Sequence, residues 1–443
     1  MTKGLLSMTA TSLGQKIGNG EIDPVELTSK YFEAIRENSL TDKIYARLTE
    51  SRAMKEAELS RERATKGIRK SLLDGVPVSW KDLFDTAGTL TEAGSLLLKG
   101  RTPKSDAIVL RNASNAGLVC LGKTHMSELA FSGLGLNPIT STPPCVNDEA
   151  AVPGGSSSGA AASVAFNLAS AGIGSDTGGS VRIPAAWNDL VGLKTTIGRL
   201  SVGGSVPLNP DFDTIGPLCK TVEDASNIFN VLEGKEFSKI ENLELKDLKF
   251  MILTTGTFDD VHTKVNLGFN NVINALKDRG TSIESRELNE INEVQEIGFK
   301  LMSAGSYGTW RKQIEESPEL MFPEILSRFR SGRDILAADY ISAWARLREL
   351  RILWEEKTRV YDAVILPTSQ ILPPNLERLL KDGDYYKKQN LLALKNTRIG
   401  NLLGLASLTV PTGIPSVGFM LMSHANSEEK LLNIGAGIER ILF

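Results

Sequence analysis

Histidine and cysteine are scarce in this chain of 443 residues, with three of each. The histidines, His125, His262 and His424, stand far apart, and no CxxC or HExxH is present, so a ready-made zinc site is excluded. Carboxylates remain as metal donors, but no ligand cluster stands out among them, and neither metal nor cofactor is expected. Cys120, Cys145 and Cys219 are odd in number and widely spaced. That pattern argues against a disulfide framework and fits a reducing cytosol. No run of about 18 apolar residues occurs, and the opening MTKGLLSMTATSLG lacks the apolar centre of a signal peptide. A cytoplasmic protein without membrane attachment is the expectation. An excess of one charge is missing too: 50 Lys and Arg against 53 Asp and Glu leave a formal charge of −3. Nothing there favours a nucleic acid or an anionic membrane as partner.

What the chain does have is glycine and serine in dense clusters. Residues 153–184 read PGGSSSGAAASVAFNLASAGIGSDTGGSVRIP. Two turns, Gly154–Gly159 and Asp176–Ser180, flank an apolar segment, Ala160–Ile173, of helix-then-strand character. Dense glycine lets main-chain N–H groups approach a ligand closely. Successive N–H groups form an anion-binding nest suited to a phosphate or a developing oxyanion. The adjacent serines supply hydroxyl nucleophiles. Gly/Ser clusters are often only linkers, but a linker would not carry Val164, Phe166, Leu168 and Ile173 between two glycine turns. The stretch points to a hydrolytic or acyl-transfer centre.

Around it the pattern is that of an α/β protein. Composition is 41% hydrophobic and 23% charged, ordinary for a globular chain with a large core. Two or three domains would fit the length, as would one large α/β domain. Asp23-Pro24 is an N-cap and N1 pair opening a helix with Val25, Leu27, Tyr31, Phe32 and Ile35 inward. Residues 51–66 form a charged, solvated helix. Gly75–Trp80 reads as a buried strand closed by Lys81. Position alone favours the sheet rim for that lysine over a desolvated functional amine, because lysine is rarely buried. Residues 190–198 and 206–218 continue the alternation, and 222–233 is a helix with Glu223 and Asp224 in its first turn. The polar residues 234–246 mark the best candidate boundary. A strand from Phe250 and a helix over 263–278 follow. Residues 286–358 are amphipathic and mostly helical, with Phe299, Tyr307, Trp310 and Trp344 as core packing or a substrate wall. A strand over 361–367, another ending at Pro411 and a helix over 431–442 close the chain.

Two motif matches need physical testing. Gly117–Thr124, GLVCLGKT, fits the P-loop pattern with Lys123 and Thr124. A P-loop needs a turn between strand and helix, whereas Leu118–Leu121 is strand-like and 107–116 is helical. Gly155–Gly159 fits G-x-S-x-G, the elbow that would make Ser157 the nucleophile with His262 or His424 as partner. That elbow needs a hydrophobic strand before it, and 147–153 starts polar and ends in proline. The better constellation is a serine in a glycine nest with a desolvated lysine as base.

The chain resembles the amidase signature family of serine hydrolases. The resemblance starts at Gly75-Val76-Pro77, Lys81-Asp82, Thr91–Ser95 and Leu121–Thr124. It runs through Pro153–Gly159, Asp176–Ala185, Gly192-Leu193-Lys194 and Gly216-Pro217-Leu218 to Leu408–Pro411. It covers nearly the whole chain, is most specific between 153 and 185, and is weak between about 235 and 355. It implies a single domain over 1–443, a central mixed twisted sheet with helices on both faces. A signature core would span 60–220, and a variable helical region, 235–355, would shape the substrate site.

The resemblance also implies roles. Ser180 would be the nucleophile, Ser156 the bridging serine held by a cis peptide bond, and Lys81 the general base. The N–H groups of Thr177, Gly178, Gly179 and Ser180 would form the oxyanion hole. The implied reaction is hydrolysis of a carboxylic amide through an acyl-enzyme, releasing ammonia or an amine from a small-molecule substrate. An alternative is the amidase component of a tRNA-dependent glutamine amidotransferase, which works with partner subunits; the weakly matching 235–355 leans towards the stand-alone enzyme. A nucleotide-binding protein using Lys123 and Thr124 and a catalytically dead binding protein are the other readings. Homodimers are common among relatives. Trp80, His125, Thr195 and residues 138–150 depart from the family pattern and leave the specificity open.

Overall fold

Period-two alternation organises the centre of the molecule. The computed structural model describes residues 2–235 and 239–443, so the polar stretch 234–246 falls partly, at 236–238, outside the described residues. Eleven strands carry the alternation: β1 (Tyr45–Leu48), β2 (Pro77–Lys81), β3 (Val119–Thr124), β4 (Ala171–Asp176), β5 (Val191–Lys194) and β6 (Thr214–Cys219), then β7 (Lys249–Leu253), β8 (Ser282–Arg286), β9 (Ala363–Pro367), β10 (Ala406–Pro411) and β11 (Gly418–Ser423). They join one sheet in the order β1-β3-β2-β4-β6-β5-β10-β11-β9-β7-β8. The pairs β2–β3, β2–β4, β7–β8 and β7–β9 are parallel and the remaining pairs antiparallel. The sheet is therefore mixed, as expected.

Successive side chains in a strand point to opposite faces. In β11, Phe419 and Leu421 enter one core and Met420 and Met422 another; in β9, Ile365 enters the first and Val364 and Leu366 the second. The first core is closed by the helices Val222–Glu233, Thr263–Asp278 and Glu428–Leu442 through Phe229, Phe269, Val272, Leu432 and Ile438. The second is closed by Glu290–Glu316 and Ala337–Thr358 through Val294, Leu301, Leu347 and Trp354. Helices thus cover both faces.

Local chemistry sets the helix ends. Asp23 Oδ1 accepts from the N–H groups of Val25 and Glu26, and Pro24 occupies the first turn of Pro24–Glu37. Thr221 caps Val222–Glu233, which ends on Gly234 at φ 75°. The charged helix Glu50–Thr65 buries only Ala53, Ala57 and Ser60.

Three strands lack a clear sequence signal. β1 and β8 sit at the two sheet edges and carry charged side chains, and β11 is a continuous apolar run that periodicity cannot separate from a helix. No described helix is long and apolar enough to cross a membrane.

Candidate active site

The site forms where two parallel neighbours, β2 and β4, end side by side. Their register pairs Val78 with Ala171 and Trp80 with Ile173, which brings Lys81 next to the residues that close β4. Ligand sites in α/β sheets favour this crevice beyond the carboxyl ends of parallel strands. Lys81 is fully buried, so the rim position that strand placement suggested is wrong. β3 and β4 flank β2 on either side, and Lys81 is removed from water. Its Nζ lies 2.7 Å from Ser156 Oγ and 2.9 Å from Ser175 Oγ. Burial pulls its pKa from 10.5 down to about 7, against the opposing charges of Asp176 and Asp213. A neutral amine is then accessible near neutral pH.

Ser156 is preceded by a cis peptide bond, Gly155–Ser156. Its carbonyl accepts from the Ser127 N–H at 3.2 Å, and the next N–H, of Ser157, donates to the Ser180 carbonyl at 3.2 Å. That bond ties the first Gly/Ser turn to the second. Gly155 is needed for close approach, because a Cβ there would stand 2.5 Å from the Gly135 nitrogen.

The second turn is held by a buried ion pair. Asp176 accepts from Arg182 at 2.9 Å and 3.0 Å and from Asn401 Nδ2 at 2.8 Å. It also takes the N–H groups of Gly179 at 2.8 Å and Val181 at 3.1 Å. Burial alone would raise its pKa, but Arg182, Lys194 and Asn401 outweigh it and hold the carboxyl well below the usual range. Gly179 has φ 139°, and a Cβ there would meet Thr397 Oγ1 at 2.2 Å. Thr397 Oγ1 in turn donates to the Gly178 carbonyl at 2.8 Å. The Gly179 N–H is directed at Asp176, so of the four expected oxyanion-hole groups it is already engaged.

Asp213 completes the surround. It accepts from Thr177 Oγ1 at 2.6 Å and from the N–H groups of Leu208 and Asn209. Burial pushes its pKa up to about 6, offset by these bonds and by Lys81. Above Ser180 a recess is lined by Ala130, Phe131, Gly178, Leu208, Met302 and Arg328, with Arg398 beside them.

The competing motifs do not form sites. Val119–Thr124, most of the GLVCLGKT match, is strand β3, and Lys123 is buried against Asp82 Oδ1 at 3.3 Å and Thr91 Oγ1 at 3.0 Å, so no loop is there to wrap a phosphate. Ser157 donates to the Ser175 carbonyl and accepts its N–H, and irregular chain precedes it. His262 caps the helix Thr263–Asp278, its Nδ1 accepting from the Lys264 N–H. Among the described residues no cluster of metal-ligating side chains occurs.

Comparison with known proteins decides the family. The amidase family model matches residues 26–432. The chain belongs to the amidase family. It is an enzyme hydrolysing carbon–nitrogen bonds of amides, as the family's members do. A 2-amino-5-chloromuconic acid deaminase of Comamonas testosteroni is 32% identical over 382 residues, covering 84% of this amidase and 82% of the relative. A glutamyl-tRNA(Gln) amidotransferase subunit of Lachnospira eligens is 28% identical and covers 98% of each chain. A crystallised amidase superposes with a TM-score of 0.88 at 27% identity, covering 98% of this chain and 100% of its own.

Ser175, Asp213, Thr397 and Asn401 escaped sequence reasoning. Ser175 and Asp176 adjoin the second glycine turn, yet nothing in that spelling says which serine meets the lysine. Asn401 comes from 225 residues away, and only the fold brings it in.

Proposed function

We propose that this amidase hydrolyses a small-molecule carboxylic amide through an acyl-enzyme on Ser180, with Ser156 and Lys81 as its proton relay. The observation that carries the reading is the 2.7 Å approach of a buried, low-pKa Lys81 amine to Ser156. Neutral Lys81 takes a proton from Ser156, which takes one from Ser180 as Ser180 Oγ bonds to the amide carbon. The carbonyl oxygen becomes an oxyanion facing the N–H groups of Thr177, Gly178 and Ser180, each donor worth about 3 kcal/mol in comparable sites. Lys81 then returns its proton through Ser156 to the nitrogen, the C–N bond breaks, and ammonia or an amine leaves. Water attacks the ester and gives up a proton along the same relay, and the carboxylic acid departs from restored Ser180.

The whole chain would act as one domain, with 60–220 as its signature core. Met302 and Arg328 reach the recess from the helical region 235–355, which supports that region as the substrate-shaping part. The three free, buried cysteines suit a cytoplasmic enzyme. Homodimerisation carries over from relatives as an expectation for sedimentation analysis.

Labelling with a fluorophosphonate probe and mapping the modified peptide tests the reading. Adduct on Ser180, abolished in Ser180→Ala and Lys81→Ala, is expected; adduct on Ser157 would overturn it. The end-to-end match to an amidotransferase component supports a second reading. Ammonia release from glutamine only with a co-purifying partner protein would select it.

A further inference from the structure

Beside the recess above Ser180 lies a larger cavity of about 220 Å³. Phe131, Met302, Arg328 and Arg398 line both, so these four side chains stand between the two spaces. Two guanidinium groups therefore stand at the neck leading to the proposed nucleophile. Arg328 lies on the helix Pro323–Arg330 and Arg398 on Thr397–Leu402, immediately after the threonine that holds Gly178.

Neither arginine has an acidic partner among the described residues. Arg328 Nη1 donates to the Phe131 carbonyl at 3.1 Å, and its guanidinium lies 4.3 Å from the Phe131 ring centroid. The Arg398 guanidinium has no hydrogen bond or ion pair among the described residues. Desolvation lowers the pKa of both, and Arg398 adds repulsion on Arg328. Arg182, Arg63 and Arg47 are instead paired with Asp176, Asp74 and Asp82, while Arg351 and Arg69, away from the site, donate to backbone carbonyls. The outer cavity adds Lys387 and a single carboxylate, Glu324. Two neighbouring, half-buried cations without a counter-ion repel one another, at a cost that a bound anion would offset. Guanidinium forks also match a carboxylate's two oxygens.

We propose that the substrate is an amide bearing a carboxylate, which Arg328 and Arg398 hold while the amide carbonyl lies over Ser180. The proposal rests on Ser180 being the nucleophile and adds the substrate's chemical class. A short acyl chain joins the two groups, because the arginines and Ser180 line one recess. Neutral amides of the same length lack the anchor and bind weakly.

The test compares the monoamides of malonic, succinic, maleic and glutaric acids with neutral amides of matching length, such as butyramide. At least one acidic monoamide should exceed its neutral match in kcat/KM by about tenfold or more, the value of a charge-assisted contact, mainly through KM. Arg398→Gln and Arg328→Gln should each shrink that ratio by about tenfold. A readout free of variant folding uses the wild type: the free diacids should slow fluorophosphonate labelling of Ser180 in a salt-sensitive way. No preference for any acidic monoamide, or an unchanged ratio in both folded variants, overturns the proposal. Labelling of Ser180 that no diacid slows overturns the arginine clamp alone. Absence of Ser180 labelling overturns the nucleophile reading, and the clamp with it.

Discussion

Two regions meet at the site, and they are built on opposite principles. The Gly/Ser core, 153–185, is backbone chemistry: a cis peptide at Ser156, a φ of 139° at Gly179, and a carboxylate, Asp176, pinning N–H groups. The helical wall, represented by Glu290–Glu316 and Pro323–Arg330, is side-chain chemistry on ordinary helices, placing Met302 and Arg328 over Ser180, the proposed nucleophile. Reactivity needs atoms fixed to fractions of an ångström, which glycine turns and buried ion pairs provide. Specificity needs only the right groups facing a cavity. Substitutions in the core should therefore act on kcat, and those in the wall on KM.

The core side of that contrast gives the largest effect. Ser180→Ala should lower kcat on the order of 10⁴-fold or more while the protein keeps its melting temperature, because losing the proposed nucleophile removes the covalent route. Lys81→Met should cost about 10³-fold, within the range for a positioned base. The pH profile sharpens it. In the proposed relay only neutral Lys81 accepts the proton, so kcat/KM should rise as pH increases through about 7 and level above it. A flat profile from pH 5 to 9 would mean that another group is the base. Asp176 stays ionised throughout that window and contributes no limb of its own.

Next comes the ion pair beneath the second turn. Asp176→Asn leaves Arg182 buried without its counter-charge, and breaking such a pair costs about 3–5 kcal/mol. Denaturant unfolding should show that loss, with activity falling alongside because the Gly179 and Val181 N–H groups lose their acceptor. An unchanged midpoint would contradict the role given to this carboxylate.

The same contrast explains what the sequence could say. The glycine turns spell their geometry in adjacent residues, so a serine-bearing nest and the strand beside it could be read directly, and Asp23-Pro24 marked its helix start by local capping. Ser156 and Ser180 were singled out only by the family resemblance. Lys81 was legible only through family resemblance. Its position suggested a rim, and its burial depends on β4 and the helix Ser158–Ala165 packing beside it. Arg328 and Arg398 were invisible because amphipathic helices look alike whether their polar side chains face water or a cavity. Asp213 and Asn401 reach the site through long-range packing that no local pattern records.

The smallest effect tests the wall. Met302 lines both the recess and the outer cavity and packs into the second core beside Leu301 and Ile297. Met302→Leu nearly conserves volume, so stability should change by less than about 1.5 kcal/mol. Branching nearer the backbone reshapes the neck, while Lys81, Ser156 and Ser180 keep their places on β2 and the glycine turns. KM should shift a few-fold, differently for short and long amides, with kcat and the limb near pH 7 held. A fall in kcat at unchanged KM would erase the division, because the wall would then set the geometry of reaction as well as the fit of the substrate.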